Sequence, residues 1–333
     1  MLSATRSSIL QFIRQHSQAR AHDLIKEFNL SRVTIHKHLK QLIIKGELQK
    51  IGIAPLVYYL IPGPKKPAKE VVLSPEIAQT IENRYLYISP QGDILPGLKG
   101  FLVWVNNTQQ QDTPLLAKKY FTVRQEADRF MTKDGWIDAI ARLRAVFPDS
   151  VVNNLYYQDF YSLPVFGKTK LGQLVLYAKQ SQNRQLIKEL VKEVKPIIEK
   201  IIAQGKIKAV AFIPPTVPRQ LQFIQEFQQS LNLALPTIPL VKVRSGRVIV
   251  AQKTLSKLTD RIANARSTIF TKPAVKSIKA QYSNLLLIDD AVGSGATLNE
   301  TAKKLKTEGW VSQKIIGFAI VGSYKDFDVI SEI

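Results

Sequence analysis

The sequence predicts a multidomain α/β protein, in which a small helical domain with a β-hairpin is followed by an α+β middle module and then by an α/β domain with a mostly parallel sheet. Residues 4–60 contain short helical periods and a hairpin pattern. A segment rich in proline and lysine follows at 61–70 and cannot continue a helix or a central strand. Near the C-terminus a buried strand, a glycine-containing loop and a helix follow one another directly, as they do in doubly wound α/β folds.

The composition favours polyanionic partners. The chain has 47 Lys and Arg against 26 Asp and Glu, a net charge of +21, and the excess is densest over residues 1–70. Nucleic acid and pyrophosphate-bearing ligands are attracted by such a field. The absence of cysteine excludes disulfides, a thiolate nucleophile and cysteine-based zinc sites, and it fits a reducing cytoplasm. There is no basic-then-apolar leader and no apolar run of about 20 residues, so we expect a soluble cytoplasmic protein with no membrane partner.

Residues 1–62 predict a winged helix-turn-helix domain. Two helical segments, SSILQFIRQH and HDLIKEF, precede a turn at residues 29–31. Ser31 is a suitable N-cap for a third helix, RVTIHKHLKQLIIKG, which Gly46 closes. The segment ELQKIGIAPLVYYLI then alternates through a glycine-containing turn, as the two strands of a wing would.

The third helix of this domain is expected to carry hydrogen-bonding and cationic side chains opposite a buried face formed by Ile35, Leu39 and Leu42. The segment LSRVTIHKHLKQLIIKG resembles the recognition helix of bacterial winged-helix regulators. The resemblance implies double-stranded DNA as a partner, with side chains in the major groove and lysines on phosphates. The residues expected to contact DNA are Ser31, Arg32, Thr34, His36, Lys37, Lys40 and Lys50. Docking of a protein on the same basic face is the alternative.

The part of the chain between residues 63 and 180 is predicted as a linker at 63–70 and a compact α+β module of unknown role at 71–180. NRYLYISPQGDILPGLKGFLVWV predicts strands around a Gln-Gly-Asp turn, and TVRQEADRFMTKDGWIDAIARLRAVF shows a helical period. LVLYAK, shortly before residue 181, predicts another strand. An aromatic cluster in this module is expected to be core rather than a surface for stacking bases. It comprises Tyr156, Tyr157, Phe160 and Tyr161.

Residues 181–333 predict the α/β domain, which opens with a long amphipathic helix, NRQLIKELVKEVKPIIEKIIAQGK. Its most specific segment is LLLIDDAVGSGATL at 285–298. A buried strand ends in Asp289 and Asp290, and a Gly/Ser loop leads into a helix whose free N-terminal amides suit a phosphate dianion. The two carboxylates can accept hydrogen bonds from ribose hydroxyls. A Walker loop is excluded, because Ala296 and Thr297 stand where a lysine would be required.

The segment resembles the motif with which type I phosphoribosyltransferases bind phosphoribosyl pyrophosphate (PRPP). Two further segments, AFIPPTVPRQL at 211–221 and AQKTLSKLTDRIANARSTIF at 251–270, resemble the proline-rich loop and the flexible loop of the ComF-type branch of that family. The resemblance covers about residues 205–322. It implies a Rossmann-like fold, binding of PRPP or a nucleotide, and Mg²⁺ as a cofactor that is carried by PRPP rather than by protein ligands.

By the same resemblance the Gly/Ser loop holds the 5-phosphate, the acid pair holds the ribose, and two cations close over pyrophosphate. The residues implied to be catalytic are Asp289, Asp290, Lys253 and Arg261. Those implied to bind PRPP are Asp289, Asp290, Ala291, Gly293, Ser294, Gly295, Ala296, Thr297, Pro215 and Thr216. Little acid–base catalysis is required when pyrophosphate leaves C1, which fits a chain whose 4 histidines all lie near the N-terminus. A solvated basic strand end is expected for Lys242, Arg244 and Arg247.

Two departures from the family pattern leave the activity open. Gly293 and Ser294 replace two threonines, and QFIQE at 222–226 replaces a run that contains an arginine. The intact acid pair and the basic loop favour a phosphoribosyltransferase with an unknown acceptor, whose winged helix localises or regulates it on DNA. The altered run favours a non-catalytic transcriptional regulator that senses PRPP or a nucleotide. Paired DNA half-sites would make a homodimer reasonable.

Overall fold

The computed structural model describes residues 2–52, 55–62, 72–108, 112–217, 219–243, 246, 250, 254–272 and 281–324. The chain divides into two compact units, Met1–Val71 and Val72–Ile333, and each unit has a hydrophobic core of its own. Three of the sequence-based predictions fall outside the described residues. They concern the linker at 63–70, the strand-end residues Arg244 and Arg247, and the loop cation Lys253.

The described part of the first unit consists of helices followed by a hairpin. The helices are α1 (Leu2–His16), α2 (Ala21–Phe28) and α3 (Arg32–Ile44), and the antiparallel strands are β1 (Gln49–Ile51) and β2 (Tyr58–Leu60). The turn before α3 forms because Asn29 adopts a left-handed conformation, with φ of 48°, and Ser31 caps α3 by accepting the Thr34 N–H at 3.2 Å. Helix α3 ends at Ile44 with Lys45 as its C-cap, and Gly46 follows with φ of +70°.

The core of the first unit is formed where these helices turn one apolar face toward each other. Ile35, Leu39 and Leu42 are buried on α3, as the sequence predicts, and His38 is buried beside them. The other core residues are Ile9, Ile13, Ala19, Leu24, Leu48 and Tyr59. Helical order in this unit therefore comes from tertiary packing of amphipathic faces rather than from propensity alone.

The second unit begins with a helical layer and short hairpins. Its first elements are α4 (Pro75–Arg84), β3 (Leu86–Ile88), β4 (Ile94–Pro96), α5 (Gly97–Asn107), α6 (Thr113–Asp128), β5 (Ile137–Asp138), α7 (Ile140–Val146), β6 (Asn154–Phe160), β7 (Ser162–Leu163), β8 (Gly167–Lys168) and α8 (Lys170–Ser181). The remaining elements are α9 (Arg184–Gly205), β9 (Ala209–Phe212), α10 (Phe223–Leu231), β10 (Leu240–Lys242), α11 (Leu258–Thr268), β11 (Ile269–Thr271), β12 (Tyr282–Val292), α12 (Ala296–Thr307) and β13 (Val311–Gly322).

Two of the predicted strands are helical. The residues of LVLYAK lie in α8, where Thr169 accepts the Gly172 N–H at 3.0 Å and so caps the helix. The segment FLVWV lies in α5, which buries Phe101 and Val105 one turn apart. Short apolar runs do not distinguish a buried strand from a buried helix, so tertiary packing decided both cases. The predicted hairpin around the Gln-Gly-Asp turn is confirmed by the pairing of β3 with β4.

Among the described residues, five strands form the main sheet in the order β5-β6-β13-β12-β9. All neighbours are parallel except β5, which pairs antiparallel with β6 at the edge. Because β5 and β6 belong to this sheet, the segment 71–180 is not the separate module that the sequence predicts. The aromatic residues of that segment are part of the core, as expected, with Tyr157, Phe160 and Tyr161 buried and Tyr156 half-buried.

A buried ion pair also ties the segment 71–180 to the sheet. Arg124, only 1% exposed on α6, donates to both carboxylate oxygens of Asp159 in β6 at 2.8 and 3.0 Å, and to Asp128 as well. Removing one partner of such a pair leaves a buried charge without compensation and costs several kcal/mol. The early helices are therefore an integral part of the second unit.

Apolar layers cover both faces of the sheet. Successive side chains of a strand point to opposite faces. In β12, Leu286 and Ile288 pack with α8, α9 and α10, whereas Leu285 and Leu287 pack with α7 and α12. The same alternation continues to the acid pair that ends the apolar part of β12. Among the described helices, none has the length and apolarity needed to span a membrane.

Candidate functional site

A pocket of about 260 Å³ lies at the carboxyl ends of β9 and β12. Ligands of open α/β sheets bind at this edge. The proline-rich loop after β9, the acid pair, the Gly/Ser loop and the first turn of α12 all line the pocket, which brings together residues that the sequence analysis selected. They are Pro215, Thr216, Arg261, Asp289, Asp290, Ala291, Gly293, Ser294, Gly295, Ala296 and Thr297.

The Gly/Ser loop turns tightly against the residues of α7 before α12 begins. Gly295 precedes α12 with φ of +73°, and a Cβ atom at this position would lie 2.5 Å from Cδ1 of Leu143. Ser294 Oγ accepts the Ala296 N–H at 3.5 Å, and no side chain caps the Gly295 position of α12. The first turn of a helix presents N–H groups that have no partner within the helix, together with the positive end of the helix dipole. This end of α12 therefore suits an anion.

The two carboxylates of the acid pair differ in their surroundings. Asp289 follows the β12 face that packs with α12, and Asp290 follows the face that packs with α8. Burial and the adjacent Asp290 raise the pKa of Asp289 to about 7, although the Asp290 N–H donates to Asp289 Oδ1 at 2.8 Å. Asp290 Oδ2 forms an ion pair with Lys179 Nζ at 2.7 Å. Asp290 is thus paired with a cation, whereas Asp289 has a pKa raised by burial and by the adjacent acid.

Lys242 is part of the pocket, so its interpretation as a solvated strand end is wrong. It ends β10, which pairs antiparallel with β11, and its Nζ donates to Thr216 Oγ1 at 2.7 Å. Burial lowers the pKa of Lys242, and the negative charge of Asp289 opposes that shift. The lysine, the threonine of the proline-rich loop and the first acid therefore form one side of the pocket.

Two further cations of the pocket were missed by the sequence analysis. Lys179 lies on α8, and the guanidinium of Arg219 donates to its carbonyl oxygen. Lys179 was missed because the segment LVLYAK was predicted to be a strand, whereas it is helical. A helical period would have placed Leu176, Lys179 and Gln180 on one side of a helix, and all three line the pocket.

The described residues of the basic segment at 251–270 include a helix that carries Arg261. Residues 258–268 form α11, and Arg261 is 5% exposed, with Nε donating to the Leu255 carbonyl at 2.7 Å. Burial lowers the pKa of Arg261. Arg261 lines the pocket from this helix, whereas Lys253, its predicted partner, is outside the described residues.

The altered run QFIQE opens α10. Phe223 and Ile224 are buried and form an apolar part of the pocket wall. Glu226 accepts two hydrogen bonds from Arg184, both at 3.0 Å, and this bidentate pair ties α10 to the start of α9. The run that departs from the family pattern therefore braces the wall of the pocket and presents no cation to it.

The pocket lining carries more positive than negative charge. Its cations are Lys179, Arg219, Lys242 and Arg261, against Asp289 and Asp290 as the acids. A cleft lined by one sign of charge attracts ligands of the opposite sign. In the part of the chain that is described, no group of three or more His, Asp or Glu side chains could hold a metal ion.

The surface of α3 presents the residues selected for DNA contact. Arg32, His36, Lys37 and Lys40 are exposed on α3, and Lys50 is exposed on β1. The hydroxyls of Ser31 and Thr34, selected for the same purpose, lie 2.9 Å apart and are hydrogen-bonded to each other. The Ser31 hydroxyl therefore caps α3, and the Thr34 hydroxyl is hydrogen-bonded to that cap.

No protein-family model and no curated protein matches the chain. Among solved structures, adenine phosphoribosyltransferase from Saccharomyces cerevisiae, complexed with a dideoxy-imino-altritol bisphosphate and adenine, is similar with 15% identity and a TM-score of 0.27, over 42% of this chain and 70% of that chain. The enzyme from Trypanosoma brucei, in complex with AMP, pyrophosphate and ribose-5-phosphate, gives 11% identity and a TM-score of 0.25, over 50% and 76% of the two chains. Similarities this low carry no weight in assigning the function of this chain.

Proposed function

We propose that the second unit binds PRPP in the pocket and transfers its phosphoribosyl group to an acceptor. One observation carries the proposal: the acid pair of β12, the tight Gly/Ser loop that follows two residues later and the N-terminus of α12 all line one cationic pocket. A phosphate, a sugar diol and a pyrophosphate each find suitable groups there.

The pocket offers a distinct place for each part of PRPP. The backbone of residues 293–297, with the hydroxyls of Ser294 and Thr297, takes the 5-phosphate. The carboxylates of Asp289 and Asp290 accept hydrogen bonds from the ribose hydroxyls. The pyrophosphate then lies against Thr216, Lys242 and Arg261. Its negative charge is neutralised there by the half-buried Lys242 and the buried Arg261.

Mg²⁺ fits this arrangement as an ion that arrives with PRPP. Magnesium is usually bound through one or two carboxylates and substrate phosphates rather than in an all-protein cage. No group of three or more His, Asp or Glu side chains among the described residues could hold the ion, so the phosphates of PRPP carry it while Asp289 and Asp290 face the ribose. When bound, the ion would neutralise charge on the leaving pyrophosphate.

The reaction that this geometry supports is a substitution at C1 of the ribose. The acceptor atom forms a bond to C1 as the bond from C1 to the pyrophosphate oxygen breaks, and the electron pair leaves with pyrophosphate. Lys242 and Arg261 neutralise that leaving group, and the proton of the acceptor passes to solvent. The described lining holds no histidine, which is acceptable because charge neutralisation carries most of the catalysis.

For the first unit we propose double-stranded DNA as the partner. The exposed cationic side of α3 and the hairpin that follows match the arrangement in which a recognition helix enters the major groove and a wing lies beside it. Positive charge without acidic residues on α3 would meet phosphates favourably. A homodimer that binds paired half-sites is part of this proposal, and light scattering with and without a palindromic duplex would test it.

The experiment that tests the pocket is calorimetric titration of Mg²⁺-PRPP into the full-length protein, followed by measurement of pyrophosphate release with a panel of bases and amines. Binding with turnover supports the transferase. Ribose 5-phosphate and pyrophosphate titrated separately should each bind more weakly and compete with PRPP. Absence of binding by PRPP and by both fragments would remove the proposed site.

A PRPP-sensing transcriptional regulator is the second candidate, favoured by the run QFIQE. In the structure this run braces α10 through Glu226 and provides no arginine to the pocket. A sensor would bind PRPP without releasing pyrophosphate in the presence of any acceptor, and saturating PRPP would change its affinity for DNA. Turnover with a defined acceptor, or DNA affinity that is independent of PRPP, would exclude it.

A further inference from the structure

The most exposed large apolar side chains on the described helices and strands both belong to α3. Val33 is 79% exposed and Ile44 is 70% exposed. The same helix buries Ile35, Leu39 and Leu42 on its other side, so apolar residues lie both toward the core and away from it. Packing in the core explains why the three buried positions are apolar, but it does not explain why Val33 and Ile44 are apolar.

Helical geometry puts Val33 at the centre of the outward side of α3. With a rotation of about 100° per residue, His36, Lys37, Lys40 and Ile44 all lie within about 60° of Val33 around the helix axis. Ile35 and Leu42 lie about 160–180° from it, against the core. Arg32 and Thr34, which the sequence analysis selected, lie on the flanks, about 100° away on either side.

Stability does not account for a valine at this position. An exposed side chain gains no burial energy, and valine is a poorer helix former than lysine, glutamate or alanine. Nothing in the described part of the first unit packs over Val33, which is among the most exposed residues of the helix. A solvent-facing position in a cationic stripe would ordinarily hold a polar residue.

We propose that Val33 contacts the 5-methyl group of a thymine in the major groove and so helps to select the DNA sequence. The proposal rests on the proposed binding of DNA by α3. Apolar side chains recognise thymine because its methyl group is the apolar feature of the major-groove edge. His36 and Lys37 lie next to Val33 on the same side and offer N–H donors to bases or phosphates. The absence of acidic residues on α3 makes a polyanion the matching occupant of this surface.

The test removes a single methyl group from the DNA. A duplex is first selected by the full-length protein from a random pool, and each thymine is then replaced in turn by deoxyuridine, which lacks only the 5-methyl group. Fluorescence anisotropy at fixed salt should show one thymine per half-site at which wild-type affinity falls about fourfold, the amount expected for one buried methyl. Val33→Ala, whose side chain is too short to cover the methyl group fully, should discriminate between the two duplexes at that position much less than the wild type.

Two variants make the result specific. Val33→Thr keeps one methyl group and should retain part of the discrimination. Ile44→Ala removes a similarly exposed side chain about 16 Å further along α3 and should retain all of it. Equal unfolding temperatures would establish that the first unit is intact in each variant.

The failures of the two proposals are distinguishable. If the wild-type protein binds no duplex in a salt-dependent manner, both the DNA proposal and this inference fail. If it binds DNA but every deoxyuridine duplex is bound as tightly as its thymine parent, the inference alone is overturned. The inference is also overturned if Val33→Ala discriminates at the same thymine as strongly as the wild type.

Discussion

The two units of the chain hold their cations in different environments. On α3, Arg32, Lys37 and Lys40 are exposed and the helix contains no acidic residue. In the pocket, Lys179 contacts Asp290, and Lys242 is largely buried beside Asp289. Salt screens exposed charges over about 8 Å at physiological ionic strength and affects buried pairs much less. The contrast teaches that DNA binding by α3, as proposed, should respond mainly to salt, whereas ligand binding in the pocket should respond mainly to pH.

The largest effect is expected at the acid pair. Replacing Asp289 or Asp290 by Asn should weaken Mg²⁺-PRPP binding by on the order of 1–3 kcal/mol each, because charged hydrogen bonds to the ribose are lost. Calorimetry at pH 8 measures it. Asp149→Asn, an exposed acid that pairs with Lys303 and does not line the pocket, is the matched control. Unchanged affinity in both pocket variants would show that the acids do not bind the sugar.

The second largest effect is expected on DNA binding when the exposed cations of α3 are removed. Arg32→Ala combined with Lys37→Ala should weaken DNA binding about tenfold or more and lower the dependence of affinity on salt by about 0.9 per lost phosphate contact. Arg14→Ala combined with Lys26→Ala removes the same charge from the ends of α1 and α2. If the control pair lowers affinity and salt dependence equally, α3 is not the DNA-binding helix.

A smaller effect is expected from pH. Because the pKa of Asp289 is raised to about 7, its carboxylate becomes protonated as pH falls from 8 to 6 and loses the charge that strengthens its hydrogen bond to the ribose. PRPP affinity should therefore fall over this range by up to about tenfold per pH unit below the pKa. The phosphate groups of the ligand also titrate near pH 6. Because Asp289→Asn lacks the titrating carboxyl, its pH profile measures the contribution of the ligand phosphates. Parallel pH profiles for wild type and variant would contradict the assignment.

The smallest effect concerns the stability of the ligand-free protein. The Asp289 pKa is higher in the folded state than the unfolded value of 3.8, so the unfolded state binds fewer protons and stability decreases as pH rises from about 4 to 7. Asp289→Asn should therefore raise the unfolding temperature at pH 8, by roughly 2–4 °C per kcal/mol relieved, and less at pH 5.

The control variant for this stability effect is Asp149→Asn, because the pKa of Asp149 is shifted in the direction opposite to that of Asp289. Lys303 lowers the pKa of the exposed carboxyl of Asp149, so Asp149→Asn should leave stability unchanged or slightly reduced at pH 8. Equal shifts for Asp289→Asn at pH 5 and pH 8 would mean that no strained carboxylate is present.

Features that depend on neighbouring residues could be predicted from the sequence. The cap at Ser31, the buried face of α3 and the succession of β12, Gly/Ser loop and α12 are each set within about fifteen residues, and the structure contains all of them. Glycine and capping chemistry act locally, so their signals survive without knowledge of the fold.

Features that depend on distant packing could not be predicted. Lys242 enters the pocket because β10 pairs with β11, and Lys179 does so because α8 packs on the sheet near Asp290. The pairing of β6 with β13 joins residues about 160 positions apart and makes the segment 71–180 part of the sheet. No local pattern encodes these contacts. For this reason the sequence predicted Arg261 as a cation of the pocket but not Lys179 or Lys242.

The position of β6 in the sheet also determines which fragments of this chain should be soluble when expressed alone. A fragment beginning at residue 181 would remove β5, β6 and α8, uncovering the edge of β13 and apolar residues on both faces of the sheet. An exposed, apolar strand edge pairs with other chains. Such a fragment would accumulate as an insoluble product, whereas one that begins near Val72 keeps every strand of the sheet. The smallest fragment suited to cloning and crystallisation of the pocket therefore starts near Val72, more than two hundred residues before the segment LLLIDDAVGSGATL.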